Sequence, residues 1–122
     1  MQSIEADIWF DFNQIFYEIT LTIKRYGVKT LRCVEIHTGR FSNLVKSKSR
    51  YSRELIKISK CSKLAKKLKI EVHAGHGLDY KSTKLLSRIE EIEEFNIGHF
   101  LIGESIFNGL TKVIKNFKKI IR

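Results

Sequence analysis

The chain has 122 residues, of which 43% are hydrophobic and 30% charged, and its formal net charge is +10. A chain of this length is expected to form one domain with a sizeable core, and its hydrophobic fraction excludes a disordered tail. Long apolar runs are absent, and acidic residues interrupt residues 1–12, so we expect neither a membrane span nor a secretory signal. Two cysteines are too few for a disulfide framework. These features predict a cytoplasmic protein without a membrane partner.

Basic residues are densest between Lys46 and Lys69, where Glu54 is the single acid. Only Tyr51 offers a ring for base stacking there, and lysine outnumbers arginine, the residue that favours guanine recognition. We therefore expect a solvated helix face, and nucleic-acid binding is the weakest of the alternatives. The same positive charge would attract small phosphorylated substrates.

The N-terminal residues predict one strand and one helix. Residues 4–12 alternate between apolar and polar side chains, as in a half-buried strand. Asp11 or Asn13 then caps a helix that ends at Gly27. Its apolar positions recur at helical spacing, at Ile15, Ile19, Ile23 and Tyr26.

The middle of the chain predicts a strand, a helix and a further strand. Residues 31–37 are rich in apolar and β-branched side chains and end at a turn of Thr38 and Gly39. Residues 69–76 form the third strand, before a glycine-containing loop. Between these strands residues 53–68 form a helix, whose buried stripe comprises Leu55, Ile58, Ala65 and Leu68.

The C-terminal residues predict two helices around a short strand. Ser82 caps the first helix, which carries Leu85, Ile89 and Ile92. Residues 94–98 form the fourth strand. A long helix begins near Glu104 and presents one apolar side, made of Ile106, Leu110, Val113, Ile114, Phe117 and Ile121.

Alternation of strands and helices predicts an α/β fold with a parallel sheet and right-handed crossovers. Four such units form either a small open layer or half of an eight-stranded barrel. Unclosed units leave two exposed strand edges and an apolar face, so we expect the chain to be at least dimeric.

Three predicted strand ends combine polar side chains with glycine, at residues 35–39, 73–78 and 96–99. The carboxyl edge of a parallel sheet is where ligands bind in α/β folds. Glycines let backbone N–H groups approach a phosphate, and neighbouring imidazoles can transfer protons. The pattern therefore indicates phosphate binding combined with acid–base chemistry.

The runs VEIHTG (residues 34–39), VHAGHGLDY (residues 72–80) and FNIGH (residues 95–99) resemble the pyridoxine 5'-phosphate synthase family, as does the Gly109-Leu110 pair. The resemblance is specific over residues 34–122 and diffuse over residues 1–33. It implies that residues 1–122 are one partial barrel domain, the second half of a (β/α)8 barrel. The family has roughly twice this length, so we expect an N-terminally truncated chain.

The resemblance also implies an activity, the condensation of 3-amino-2-oxopropyl phosphate with 1-deoxy-D-xylulose 5-phosphate. The products are pyridoxine 5'-phosphate, phosphate and water, and no metal or organic cofactor is needed. Glu35 matches the family's transition-state stabiliser and His76 its proton donor. Gly77, Gly98 and His99 match positions that hold the amino-ketone phosphate. The alternative is a non-catalytic, phosphate-binding remnant of the same fold.

Two features depart from the family pattern. Glu104 stands where the family commonly has arginine, which reverses a charge near the phosphate region. The connection at residues 27–32 is a few residues longer than that of the family.

Simpler interpretations remain for several side chains. Glu35 on its own could be a buried carboxylate paired with lysine or histidine. His37 and His73 are expected to be structural, each hydrogen-bonded to a loop backbone. Cys33 and Cys61 are expected to be reduced core residues.

Cys33, His37, His73 and His76 near the strand ends are residue types that bind metal ions. Strand residues four apart lie about 13 Å apart, and residues three apart face opposite sides. Cys33 with His37, and His73 with His76, therefore cannot readily share an ion, and no metal site is predicted.

Overall fold

The computed structural model describes residues 2–7 and 31–121, in which four parallel strands form one sheet. The strands are β1 (Gln2–Asp7), β2 (Leu31–His37), β3 (Glu71–Gly75) and β4 (Ile92–Asn96). The described helices are α1 (Gly39–Lys46), α2 (Ser52–Lys67), α3 (Tyr80–Leu86), α4 (His99–Asn108) and α5 (Leu110–Ile121).

The strands follow one another across the sheet in the order β1-β2-β3-β4, and every neighbouring pair is parallel. All four strands therefore end at the same edge of the sheet. The α/β class and the parallel sheet predicted from the sequence are confirmed. The predicted helix ending at Gly27, and the part of the first strand after Asp7, lie outside the described residues.

The helix-covered face of the sheet carries the core. Val34 and Ile36 of β2 and Val72 and Ala74 of β3 are buried, and residues between them point to the opposite face, as strand geometry requires. The remaining core side chains come mainly from the helices and loops, and they include Phe41, Val45, Ile58, Cys61, Ala65, Ile70, Leu78 and Leu86.

The boundaries of β2 and α2 agree with the sequence prediction, α2 to within one residue at each end. Ile58 and Ala65 of the predicted stripe are buried, and Leu55 and Leu68 are partly buried against the same core. The helix α1 was not predicted, and its first residue, Gly39, is part of the predicted turn. It is short, and packing of Phe41 and Val45 stabilises it.

The strand β3 is shorter than the predicted strand at both ends. Lys69 has a positive φ of 59°, and its N–H bonds to the carbonyl of Lys66, so this residue ends α2 instead of beginning the strand. His76 has a φ of 82°, which stops the strand at Gly75. Both limits are set by left-handed backbone.

The predicted cap of α3 at Ser82 is wrong. Asp79 is the cap, its carboxylate accepts the N–H of Ser82, and the Ser82 hydroxyl accepts the N–H of Asp79. This capping box fixes the start of the helix three residues earlier. The helix ends at Leu86, so Ile89 and Ile92 lie outside it, and β4 begins at Ile92, two residues before the predicted strand.

The predicted single C-terminal helix is two helices. Gly109 has a φ of 82° and ψ of 140°, a conformation that ends α4 and lets α5 begin at the next residue. The predicted apolar side is therefore divided. Of its members only Val113 and Phe117 are buried, while Ile106, Leu110, Ile114 and Ile121 are exposed.

An aromatic cluster joins the last three helices. The ring of Tyr80 lies 4.7 Å from that of Phe117 and 5.0 Å from that of Phe100, measured between centroids. The Tyr80 hydroxyl also accepts a hydrogen bond from Asn116. These contacts tie α4 and α5 to the start of α3, beside the carboxyl edge of the sheet.

Most of the basic stretch lies on the outer surface of α2, as predicted for a solvated helix face, while Lys46 belongs to α1. Glu54 is 3% exposed there and contacts Lys57 at 3.2 Å and Arg40 at 3.7 Å. Lys66 pairs with Glu93. None of the helices in the described ranges combines the length and apolar character needed to cross a bilayer.

Two isoleucines on α2 offer a matched test of this packing. Ile58 is fully buried and Ile56 is 54% exposed. We expect Ile58→Ala to lower the free energy of unfolding by about 2–5 kcal/mol, because it leaves a cavity in the core. Ile56→Ala should change it by less than about 0.5 kcal/mol. Urea denaturation of the three proteins measures both values, and equal losses would contradict the described orientation of α2.

Candidate functional site

Thr38 joins the ends of β2 and β3 at the carboxyl edge of the sheet. Its N–H donates to the carbonyl of Gly75 at 2.8 Å. Its hydroxyl, fully buried, lies 2.7 Å from the same carbonyl and 2.9 Å from that of His76. These bonds continue the pairing of the two strands beyond their last residues, so they hold the loop after β3 in place.

The carboxylate of Glu35 lies across the neighbouring strand. Glu35 belongs to β2, and the side-chain amide of Asn96 on β4 donates to its Oε2. A Cβ at Gly75, on the strand between them, would stand 2.7 Å from Oε1 of Glu35 and 3.1 Å from Cβ of Asn96. Glycine at position 75 therefore leaves the space that the carboxylate occupies. Among the described residues Glu35 is paired with an amide, and not with lysine or histidine.

Two imidazole rings stack at the carboxyl edge of the sheet. The centroids of His37 and His76 are 4.2 Å apart, and the planes meet at 28°. The backbone N–H of Gly39 approaches Nδ1 of His37 at 3.4 Å, so His37 does bond to backbone, as predicted. A Cβ at Gly39 would lie 2.7 Å from His37 and 2.9 Å from His76. The stack thus depends on a glycine at the start of α1.

The loop after β3 presents His76 and Gly77 in left-handed conformations, with φ of 82° and 73°. Gly77 accepts a hydrogen bond through its carbonyl from Nζ of Lys46 at 3.0 Å. A Cβ at Gly77 would also approach the buried Ser42 side chain at 3.4 Å. The loop is consequently held from α1 as well as from Thr38.

The N-terminus of α4 faces the same region from the far side of β4. Gly98 is the residue before the helix, and no side chain caps it. The first intrahelical bond runs from the N–H of Ile102 to the carbonyl of Gly98, which leaves the N–H groups of the first turn for other partners. Such a helix start favours an anion.

Residues from several of these elements line an open cavity of about 770 Å³. Its walls contain every site residue predicted from the sequence, namely Glu35, His76, Gly77, Gly98 and His99. They also contain residues that sequence reasoning did not select, among them Lys46 and Asn96. The volume is in the range of small-molecule sites. The residues therefore combine a carboxylate, two imidazoles, an ammonium group and glycine N–H groups around one space.

Glu104 does not reverse the charge of this cavity. It is half-buried on α4, its carboxylate accepts a hydrogen bond from Asn108 at 2.7 Å, and it is absent from the cavity walls. The departure from the family pattern at this position therefore lies on the helix and not at the described lining.

A separate group of ionisable side chains lies on the open face of β3 and β4. Nε2 of His73 is 2.7 Å from Glu71, and Nδ1 is 3.8 Å from Glu94. His73 is thus bonded to carboxylates and not to a loop backbone, contrary to the prediction. One atom from each of the three residues lies within 4.8 Å of the others, but the direct contacts of His73 account for this arrangement as an ion-pair cluster. That the protein needs no metal stays a prediction.

Both cysteines are buried core residues, as predicted, and neither forms a disulfide. Burial raises the pKa of the Cys61 thiol to about 12 from an ordinary value near 9. Burial, followed by the nearby carboxylates of Glu71 and Glu94, also raises the pKa of Cys33. Neither thiol is suited to act as a nucleophile near neutral pH.

Sequence similarity to known proteins extends over most of the chain. A family model described as "Pyridoxal phosphate biosynthesis protein PdxJ" matches residues 20–122. The chain is also similar to the pyridoxine 5'-phosphate synthase of Pelagibacter ubique (strain HTCC1062), at 64% identity over 88 residues, which cover 72% of this chain and 37% of the relative. It is 50% identical to the protein of the same name from Zymomonas mobilis subsp. mobilis (strain ATCC 31821 / ZM4 / CP4) over 88 residues, which cover 72% of this chain and 34% of that relative. The chain thus spans about a third of the length of these relatives.

Replacing Gly75 tests the path of the Glu35 carboxylate. We expect Gly75→Ala to lower the free energy of unfolding by about 1–3 kcal/mol, because the new methyl group displaces Glu35. The side-chain amide resonances of Asn96 should shift as its hydrogen bond is lost. Gly103→Ala is the control, since a Cβ there meets no atom within 4 Å. Unchanged Asn96 resonances in Gly75→Ala would contradict the described contact.

The raised pKa of Cys61 predicts a pH dependence of stability. The folded state holds the thiol proton more tightly, so this contribution is complete below pH 9 and is lost as the pH rises toward 12. Urea denaturation between pH 8 and about pH 11 should show a steeper loss for the wild type than for Cys61→Ala. At pH 8, a thiol reagent should label the folded chain far more slowly than the unfolded chain. Rapid labelling of folded protein would oppose the described burial.

Proposed function

The chain belongs to the family of the pyridoxal phosphate biosynthesis protein PdxJ, and on that premise we propose that it is part of a pyridoxine 5'-phosphate synthase. The reaction condenses 3-amino-2-oxopropyl phosphate with 1-deoxy-D-xylulose 5-phosphate to pyridoxine 5'-phosphate, phosphate and water. One observation carries the proposal: Glu35, His76, Gly77, Gly98 and His99, which come from three strand ends, line a single cavity.

In this proposal the four strands are consecutive members of a (β/α)8 barrel. The sheet order follows the chain order and all neighbours are parallel, which is the arrangement that a barrel requires. The strand face opposite the helices carries Glu35, His73 and Glu94, and it would line the barrel interior. Their position explains why this face is polar although the helix-covered face is apolar.

We assign the catalytic roles to Glu35 and His76. Ring closure passes through imines and dehydrations, which need a proton donor and a charge that stabilises cationic intermediates. His76 lies exposed on a loop held by Thr38, so its ring can donate a proton to a departing oxygen. Glu35 is held by Asn96 at the edge of the cavity and supplies the negative charge.

We assign phosphate binding to Gly77, Gly98 and His99. Gly77 brings backbone close to the cavity in a left-handed turn, and Gly98 with His99 forms the start of α4. Backbone N–H groups at such positions bind phosphate oxygens without a side chain in the way. In this proposal the phosphate groups are held by backbone N–H groups and the His99 side chain.

A second candidate function is phosphate binding without turnover. The chain covers 37% of the Pelagibacter relative, so a site complete by that relative's pattern includes groups that lie outside these 122 residues. The phosphate-binding positions, in contrast, all lie within this chain. A remnant of the fold would keep the phosphate-binding positions and lack a complete catalytic site.

Exposed apolar side chains support self-association. Ile102, Ile106 and Phe107 of α4 are 59%, 77% and 87% exposed, and no residue of this helix is buried. Exposed apolar surface of this kind marks an interaction site in soluble proteins. We expect light scattering to show at least a dimer at micromolar concentration, and a monodisperse monomer would contradict this expectation.

The activity is tested by product formation from both substrates. We expect turnover by the purified chain, and His76→Asn should lower it by about 10²–10⁴-fold because the proton donor is lost. Asparagine tolerates the left-handed backbone at position 76, so the variant keeps the fold. Lys63→Gln is the control, because Lys63 is exposed on α2 and lies outside the cavity walls, and it should stay within about threefold of wild type.

The same assay separates the two candidate functions. Turnover by the chain alone supports pairing of copies into a complete site. Turnover that appears only when the N-terminal two thirds of the Pelagibacter relative is added supports the interpretation that this chain is one part of an enzyme. Folded protein that is inactive in both mixtures, but still binds phosphate, would contradict the enzyme and favour the binding remnant.

A further inference from the structure

The cavity contains one cationic group whose function is unassigned. Among the described residues that line it, Lys46 is the only lysine or arginine. It is the last residue of α1, and its side chain reaches the loop after β3, where Nζ donates to the carbonyl of Gly77 at 3.0 Å. The ammonium group is thus placed beside a glycine that we assign to phosphate binding.

The ammonium group has unused hydrogen-bonding capacity. A lysine carries three N–H donors. Within the described part of the chain, the bond to Gly77 is its one hydrogen bond, and the salt bridges found there do not include Lys46. The remaining donors are therefore available to a ligand in the cavity.

The electrostatics of the cavity call for such a cation. A phosphate monoester carries between one and two negative charges near neutral pH, and Glu35 adds another to the same space. Glycine N–H groups and a helix start offer only partial charges. Lys46 supplies a full positive charge at the cavity wall, which would offset the repulsion between Glu35 and the ligand.

We propose that Lys46 is a phosphate-binding residue of this site, a proposal that rests on the function proposed above. Its ammonium group contacts the phosphate oxygens while the backbone at Gly77 and at the start of α4 surrounds them. The ligand class is a small phosphate monoester, for which inorganic phosphate is the simplest probe. The bond to Gly77 positions the ammonium group before the ligand arrives.

A purely structural role for Lys46 gives a different expectation. If Lys46 only tethers the loop at Gly77, any donor of suitable length would replace it, and charge would not matter. If it binds phosphate, a neutral donor fails and a different cation succeeds. Lys46→Gln, Lys46→Met and Lys46→Arg distinguish the two roles.

Phosphate binding to the full chain can be measured by calorimetry and by the backbone amide shifts of Gly77, Gly98 and His99. We expect Lys46→Met and Lys46→Gln each to weaken binding by about tenfold or more, since a charge-assisted hydrogen bond is lost. Lys46→Arg should stay within about threefold. Lys63→Met is the control, because Lys63 is exposed on α2 away from the cavity and its loss changes the net charge equally.

Each other outcome overturns the inference. Binding by Lys46→Met that equals wild type, with the same amide shifts, overturns it and leaves the proposed function intact. Weak binding by Lys46→Met together with full binding by Lys46→Gln identifies a tether and also overturns it. If the wild type shows no amide shifts with phosphate, the inference is wrong, and the turnover assay decides the proposed function separately. Circular dichroism melts confirm that each variant is folded.

Discussion

The site depends on the hydrogen bonds by which Thr38 joins the ends of β2 and β3. Its N–H and its buried hydroxyl both bond to the Gly75 carbonyl, and the hydroxyl also reaches the carbonyl of His76. A buried hydroxyl without partners would be destabilising, so the loop is held where these acceptors lie. His76 and Gly77 follow directly, and their place relative to Glu35 is consequently set by the sheet and not by the loop alone.

Glycines supply the second constraint, because three side chains at the site occupy space that a Cβ would fill. Gly75 makes room for the Glu35 carboxylate, and Gly39 makes room for the stacked rings of His37 and His76. At these two positions glycine is required because its lack of a Cβ leaves space for the neighbouring side chains. At Gly77 it serves backbone conformation as well.

Positive and negative side chains lie on opposite sides of the described sheet, which agrees with the proposed barrel interior and with the proposed role of Lys46. The lysines of α2 cover the outer surface, while Glu35, Glu71, His73 and Glu94 occupy the opposite strand face. An acidic interior repels anions, so a phosphate ligand needs a local cation at the carboxyl edge. Lys46 lies at that edge, where the basic surface meets the cavity.

The sequence alone determined the α/β class, the strand β2 and the helix α2, because periodicity is a local signal. The five predicted residues that line the cavity came from the resemblance of the strand-end motifs to a known family. Only the tertiary structure decided the partners of those residues. Asn96 reaches Glu35 across 61 positions, and Lys46 reaches Gly77 across 31. In the sequence Lys46 is one lysine of a basic stretch, and only packing of α1 against the loop after β3 separates it from the others.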